Sequence, residues 1–359
     1  MEDFILRSDV NEIVDSLTPD FRREFSGKRI LITGGRGFLG RYFTATFLEL
    51  NRWFDKESLP RCELVVLDNL ITAGEAGSHA QSTREVAFVQ HDIVKPFYPE
   101  RGLDFILHAA GIASPHWYRK YPLETLEVAT TGLKNVMELA QRSPGCRISF
   151  FSSSEIYGDP GSGFVPTKED YRGNVSCLGP RACYDESKRL GETLVRIYHE
   201  TRGVHGTIIR PFNVYGPGMQ KTDYRVLPNF GSRIIDGLPL HIYGSGKQTR
   251  TFCYITDAIR GFLQVLVHGH AGEPYNIGNP SPEISMVELA KEVAKVLHTE
   301  VKFETVDYPD TYPADEPNRR CPDITKAREH VGYEPTVGLG DGLSRFFGWV
   351  KETYVPHSA

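Results

Sequence analysis

The stretch from Arg29 to Gly40, RILITGGRGFLG, restricts the fold of this chain more than any other part of it. Arg29-Ile30-Leu31-Ile32-Thr33 is a short apolar run that reads as a parallel strand buried on both faces. It runs directly into glycines at 34, 37 and 40, and residues 38–50 follow with helical spacing. In a strand–loop–helix unit of this kind each glycine has a separate task. The first permits the tight turn, the second lets backbone approach a pyrophosphate, and the third lets the helix pack closely on the strand. The helix N-terminus then offers free N–H groups and a positive dipole end to phosphate. The unit predicts a dinucleotide site.

The next apolar run, Leu64-Val65-Val66-Leu67, ends in Asp68. A carboxylate at that place accepts hydrogen bonds from the adenosine ribose hydroxyls and repels a 2′-phosphate, which favours NAD over NADP. Asp68 stands 28 residues after Gly40, and Asn51–Pro60 reads as an insertion that accounts for the distance. Further strands are expected at 86–90, 104–108, 147–152 and 206–210, with helices at 121–141 and 184–202. His91-Asp92-Ile93 closes the third strand, making Asp92 a candidate adenine contact. Strands alternating with helices predict a doubly wound α/β sheet. After Pro211, Gly and Pro become frequent and the rhythm weakens. The fold class is therefore α/β: a Rossmann-like doubly wound parallel sheet with a smaller, interleaved C-terminal substrate-binding lobe. Residues 1–27 form a helical preface whose Ile5, Val10, Ile13 and Leu17 lie on the body or on a partner. Residues 28–213 form the NAD-binding domain, to which 254–281 return. Residues 214–253 and 282–359 form the substrate-binding lobe.

Charge and cysteine usage narrow the function. The net charge is −5 with no long basic run, which argues against nucleic acid. Six cysteines without a Cys-x-x-Cys pair, and twelve histidines without His-x-x-x-His, argue against a metal site or a disulfide framework and suit a reducing compartment. The acidic start Met1–Phe4 lacks a signal-peptide pattern, and no apolar run reaches the roughly 18 residues of a membrane span. A cytoplasmic protein without membrane contact is expected.

Tyr184-Asp185-Glu186-Ser187-Lys188 places Tyr and Lys four apart, on one face of a helix. A nearby ammonium and a cationic nicotinamide both favour the phenolate, so Tyr184 becomes a base candidate. Ser152-Ser153-Ser154-Glu155-Ile156-Tyr157-Gly158 follows another strand, at the carboxyl end where such sheets carry their chemistry.

With these motifs and three further stretches, Gly179–Glu186 (GPRACYDE), Tyr243–Arg250 (YGSGKQTR) and Arg320–Asp323 (RCPD), the chain resembles the extended short-chain dehydrogenase/reductases, nearest the UDP-glucuronate decarboxylases (UDP-xylose synthases), over residues 28–345. The resemblance implies NAD as cofactor and a UDP-sugar as substrate. Tyr184 would take the 4-OH proton, while Lys188 would hold the nicotinamide ribose and lower the Tyr184 pKa. Ser153 would hydrogen-bond the 4-oxygen, Ser154 and Glu155 would lie near C5 and the carboxylate, and Arg320 would face that carboxylate. The expected cofactor-binding set is Gly34, Gly37, Phe38, Leu39, Gly40, Asp68, Asn69, Asp92, Ile93, Ala109 and Ala110, with Tyr184 and Lys188. The expected substrate-binding set is Asn213, Arg225, Tyr243, Arg250 and Arg320. A homodimer through helices 121–141 and 184–202 is implied as well.

The loop His108–Pro115, and Gly218 where the family carries an Arg, depart from the decarboxylase pattern. A UDP-uronic acid 4-epimerase, a nucleotide-sugar 4,6-dehydratase and an NAD-binding regulatory protein on the same scaffold are the alternatives. Glu155 argues against a plain 4-epimerase, which needs no proton chemistry at C5. The intact Tyr184–Lys188–Glu155 set argues against a regulator. His116, His205 and His241 are expected to be structural.

Overall fold

The computed structural model describes residues 5–72, 82–307 and 317–355. The acidic start Met1–Phe4 lies outside them. Two short helices, α1 (Arg7–Ser16) and α2 (Pro19–Arg23), precede the first strand, β1 (Arg29–Thr33). The glycine loop leads into α3 (Phe38–Lys56). The strands β2 (Glu63–Asp68), β3 (Val86–Gln90), β4 (Phe105–His108), β5 (Arg147–Phe151) and β6 (His205–Pro211) follow. With the strand Pro274–Ile277 they form a seven-stranded sheet. Its order is 274–277, β6, β5, β4, β1, β2, β3, and every pairing is parallel. The chain thus winds outward from β1 in both directions, which is a Rossmann-type doubly wound sheet.

Alternation along the strands explains why this sheet is buried on both faces. Ile30 and Ile32 of β1, with Leu64 and Val66 of β2, enter one apolar core. Leu31, Val65 and Leu67 enter a second core on the opposite face. The helix Ile255–His268 contributes to the first core, and the strand after it completes the sheet beside β6. Segments before that helix and after that strand build a smaller lobe. Among the described residues it has two parallel strand pairs, 214–215 with 253–254 and 240–243 with 303–306, and a three-stranded element in which Thr249–Arg250 lies between Ile284–Ser285 and Arg319–Arg320.

Two expectations are corrected here. The helix after the glycine loop does not stop near residue 50. It continues through Lys56, because Leu50, Asn51 and Phe54 stay buried on the same face. Most of the presumed insertion Asn51–Pro60 is therefore extra helix. The expected helix 121–141 is a helix from Pro122 to Glu127, a π turn at Val128–Gly132, and a helix from Leu133 to Gln141. Gly132 has no room for a side chain larger than hydrogen without crowding Ile93, which follows β3.

The preface lies on the body. Val10, Ile13, Val14 and Leu17 are buried. Asp9, fully buried, accepts hydrogen bonds from the hydroxyls of Tyr42 on α3 (3.2 Å) and Tyr254 (2.9 Å). Burial raises its pKa to about 6, although both tyrosines and Arg345 favour the carboxylate.

Candidate active site

The loops that follow β1 to β6 at the carboxyl edge of the central sheet open into one cavity, as parallel winding leads one to expect. All of the site residues expected from the sequence line it: Gly34, Gly37, Phe38, Leu39, Gly40, Asp68, Asn69, Asp92, Ile93, Ala109 and Ala110 at one end, and Asn213, Arg225, Tyr243, Arg250 and Arg320 at the other. Ser153, Ser154, Glu155, Tyr184 and Lys188 line it as well.

The nucleotide end has the shape a dinucleotide needs. Gly34 has a φ of +68°, and a Cβ there would lie 2.6 Å from the Ala110 Cα. A Cβ on Gly40 would lie 2.2 Å from the Gly34 carbonyl oxygen. The loop is thus folded tightly against β4 and α3. Gly37 is the N-cap of α3 and supplies no side-chain cap, which leaves first-turn N–H groups to a ligand. The Asp68 carboxylate accepts from the Arg36 N–H (2.8 Å) and the Leu70 N–H (2.7 Å). It therefore ties the glycine loop to the end of β2, and burial raises its pKa. Asp92 accepts from the Val94 N–H (3.1 Å) and from Asn69 Nδ2 (3.4 Å), so it also caps its own turn. These features fit NAD. When bound, it would be held by the glycine loop, the Asp68 carboxylate and Lys188.

The reactive end is carried by the helix Ala182–Arg202 and by the short 3-10 turn Ser154–Tyr157 after β5. Tyr184 and Lys188 are both buried. Lys188 donates to the Phe151 carbonyl (2.7 Å), and burial lowers its pKa to about 8. Burial raises the Tyr184 pKa, and the Ser153 hydroxyl, bonded to its phenol oxygen, opposes this most. Weaker help comes from Arg225 and Arg181. The Lys188 ammonium, expected to lower the Tyr184 pKa, is directed to the Phe151 carbonyl and lies 5.7 Å from the Tyr184 ring centre. Tyr118, from the helix Pro115–Lys120, stacks on Tyr184 with ring centres 5.5 Å apart and planes 18° from parallel.

Glu155 is gripped by two arginines. Arg320 pairs with both of its oxygens, Nη1 with Oε1 and Nη2 with Oε2 (2.7 Å). Arg181 Nη2 pairs with Oε2. Arg181 also faces Asp185, with Nε 3.7 Å from Oδ2. On the substrate side, Asn213 donates to the Thr251 carbonyl (2.8 Å) and Arg225 pairs with Asp223, Nε to Oδ2 at 3.0 Å. Arg250 donates to the Thr249 carbonyl (2.8 Å).

Sequence reasoning gave no part in the site to four residues that the structure places in or beside this set. Arg181 stands three residues before Tyr184 in GPRACYDE, and that spacing on one helix start was a readable signal. Tyr118 gave none, because a Tyr in a short helix is indistinguishable from core by pattern. His241, expected to be structural, lines the cavity. His116 lies beside it, stacked on Tyr224. Among the described residues no group of His, Cys, Asp or Glu side chains could hold a metal, and no helix is long and apolar enough to cross a membrane.

A doubly wound parallel sheet, a glycine-loop dinucleotide cradle and a buried Tyr–Lys pair on the adjoining helix define an NAD-dependent enzyme of the short-chain dehydrogenase/reductase type. The chain belongs to the NAD dependent epimerase/dehydratase family, whose model matches residues 30–278. It is 40% identical over 318 residues to UDP-glucuronic acid decarboxylase 1 of Arabidopsis thaliana, covering 88% of this chain and 68% of that one. It is 39% identical over 335 residues to UDP-glucuronic acid decarboxylase 1 of Xenopus tropicalis, covering 92% and 74%. Among solved structures it resembles DesIV, a dTDP-glucose 4,6-dehydratase of Streptomyces venezuelae solved with NAD bound. There the TM-score is 0.75 at 27% identity, over 90% of this chain and 97% of that one.

Proposed function

We propose that this chain converts UDP-glucuronate to UDP-xylose and CO2 through a 4-keto sugar. The observation that carries this reading is the Glu155–Arg320 pair lining the same cavity as Ser153 and Tyr184. An epimerase of neutral hexoses needs no guanidinium for C6, and a uronate 4-epimerase needs no proton chemistry at C5. The named decarboxylase relatives support the same choice.

The chemistry that NAD would supply when bound is reversible hydride acceptance from the sugar C4. Tyr184 takes the 4-OH proton, and the Ser153 hydroxyl, already on the phenol oxygen, bonds the 4-oxygen. Lys188 holds the nicotinamide ribose. A ketone at C4 makes the C6 carboxylate that of a β-keto acid. The C5–C6 bond can then break with its electron pair delocalised into the carbonyl, and a proton enters C5. Ser154 and Glu155 serve C5 and the carboxylate. Arg320 orients the carboxylate through two charge-assisted bonds, for which a planar guanidinium is suited. Asn213, Arg225, Tyr243 and Arg250 bind the UDP portion, so residues 214–253 and 282–359 act as the substrate lobe over the NAD-binding domain 28–213 with 254–281.

The protein acts as a homodimer in the cytoplasm. In support of the dimer, Leu123 (72% exposed), Leu126 (42%), Leu190 (49%) and Ile197 (47%) all lie on the two helical stretches assigned to the interface.

Incubation with UDP-glucuronate and NAD in deuterated buffer, followed by NMR, tests the reaction. UDP-xylose carrying deuterium at C5 is expected. A product inverted at C4, with its carboxylate retained and no deuterium at C5, would overturn the reading in favour of a UDP-uronate 4-epimerase.

A further inference from the structure

We propose that the Glu155 carboxylate occupies, on Arg320, the seat of the substrate's own carboxylate, and that Arg181 is the positioning residue that retains Glu155 when the two exchange. The inference rests on the uronate reading above and specifies how that site is loaded.

The geometry supplies a pivot. Oε1 of Glu155 is bound by Arg320, whereas Oε2 is bound by Arg320 and Arg181 together. Turning the carboxylate about Oε2 frees Arg320 Nη1, and a shift of Oε2 toward Arg181 then frees Nη2 while the bond to Arg181 persists. The three side chains come from three parts of the fold. Glu155 lies in the turn after β5, Arg181 at the start of the Tyr184 helix, and Arg320 on a strand of the substrate lobe. Arg181 is anchored from behind by Asp185, one helical turn on. It therefore stays with the catalytic helix, and Arg320 stays with the lobe that receives the sugar.

Charge gives the exchange its direction. Among the described residues, Arg320 and Arg181, both buried, hold Glu155, and Arg181 also faces Asp185. A uronate brings a second carboxylate to Arg320 in a place where water screens little, so the two carboxylates compete for one guanidinium. Glu155 then yields Arg320 and stays on Arg181. Once CO2 has left and a proton has entered C5, no substrate carboxylate remains and Arg320 returns to Glu155. UDP-xylose has no group to compete for it. The resting ion pair thus resists the substrate ground state and favours the state after decarboxylation. Without Arg181, the exchange would leave Glu155 as an unpaired, partly buried charge, which is unfavourable.

Binding titrations test this, with NAD present and in a Tyr184→Phe background that stops turnover. Glu155→Gln removes the internal competitor and should tighten UDP-glucuronate by about tenfold, with UDP-xylose within about twofold. Arg181→Met should weaken UDP-glucuronate by about tenfold and again spare UDP-xylose, and Arg181→Lys should recover part of the loss, since a point charge lacks the fork. Glu155→Gln weakening UDP-glucuronate, or either variant shifting both ligands alike, overturns the exchange and leaves Arg181 a structural residue. If the Tyr184→Phe parent binds UDP-glucose as well as UDP-glucuronate, the uronate reading fails and the exchange falls with it. If the parent prefers UDP-glucuronate and only the variants misbehave, the exchange alone fails.

Discussion

The glycine loop permits a graded test in which packing and cofactor approach separate. At Gly34, alanine meets two costs. A φ of +68° disfavours any L side chain by roughly 1–2 kcal/mol. Its Cβ would also stand 2.6 Å from the Ala110 Cα and 2.9 Å from the Ala109 oxygen, backbone atoms at the end of β4 that cannot swing aside. Overpacking of this kind costs about 1–3 kcal/mol. Gly34→Ala should therefore lose roughly 2–5 kcal/mol of stability with no ligand present, a fall of roughly 5–15 °C in Tm. Gly37→Ala differs in kind. Its φ is −72°, and the one atom a Cβ would crowd is the Gly34 oxygen at 3.2 Å. Its Tm should stay within about 2 °C of wild type, because nothing in the protein is displaced far. NAD affinity should nonetheless fall about tenfold or more, because the methyl projects where the pyrophosphate must approach. Thermal unfolding without ligand, paired with NAD titration, measures both quantities on each variant. A Gly37→Ala protein that binds NAD normally, or a Gly34→Ala protein as stable as wild type, would refute the reasoning.

Two further outcomes are expected. Tyr184→Phe removes the phenol that Ser153 engages but keeps the ring stacked on Tyr118, so turnover should fall by about 100-fold or more while NAD binding persists; turnover near the wild-type rate would place the base elsewhere. The Asp9 pKa is raised on folding, from the ordinary 3.8 to about 6, so the folded state binds the proton more tightly and stability should decline as pH rises from about 4 through 6. The displacement corresponds to on the order of 3 kcal/mol at most, and Asp9→Asn should flatten that part of the Tm–pH curve; identical curves for the two proteins would show that Asp9 titrates normally.

How much was legible in the sequence depended on how far apart the interacting residues lie. The strand β1, its glycines, α3 and the placing of Tyr184 and Lys188 on one helix are local, and local spacing encodes them directly. Short apolar runs marked the buried strands for the same reason, and the doubly wound order followed from strands alternating with helices. The residues singled out from the sequence do line one cavity, because carboxyl ends of parallel strands converge on one side, but Arg181, Tyr118 and His241 were not among them. The sequence did not show what those residues hold. Asn51–Lys56 read as an insertion because a helix continues or stops according to what its face packs on, and that surface is tertiary. The tie of Asp9 to Tyr254 spans 245 positions, and the grip of Arg320 on Glu155 spans 165. Neither leaves any periodic trace. Lys188 seemed placed to charge-stabilise the Tyr184 phenolate, yet only the fold puts the Phe151 carbonyl within its reach. Sequence alone marked the glycine loop, the Tyr184–Lys188 pair and the carboxylates at the strand ends as groups that meet in the cavity. Tertiary structure decided their hydrogen-bond partners and their charge balance, because both depend on burial and on contacts between segments distant along the chain.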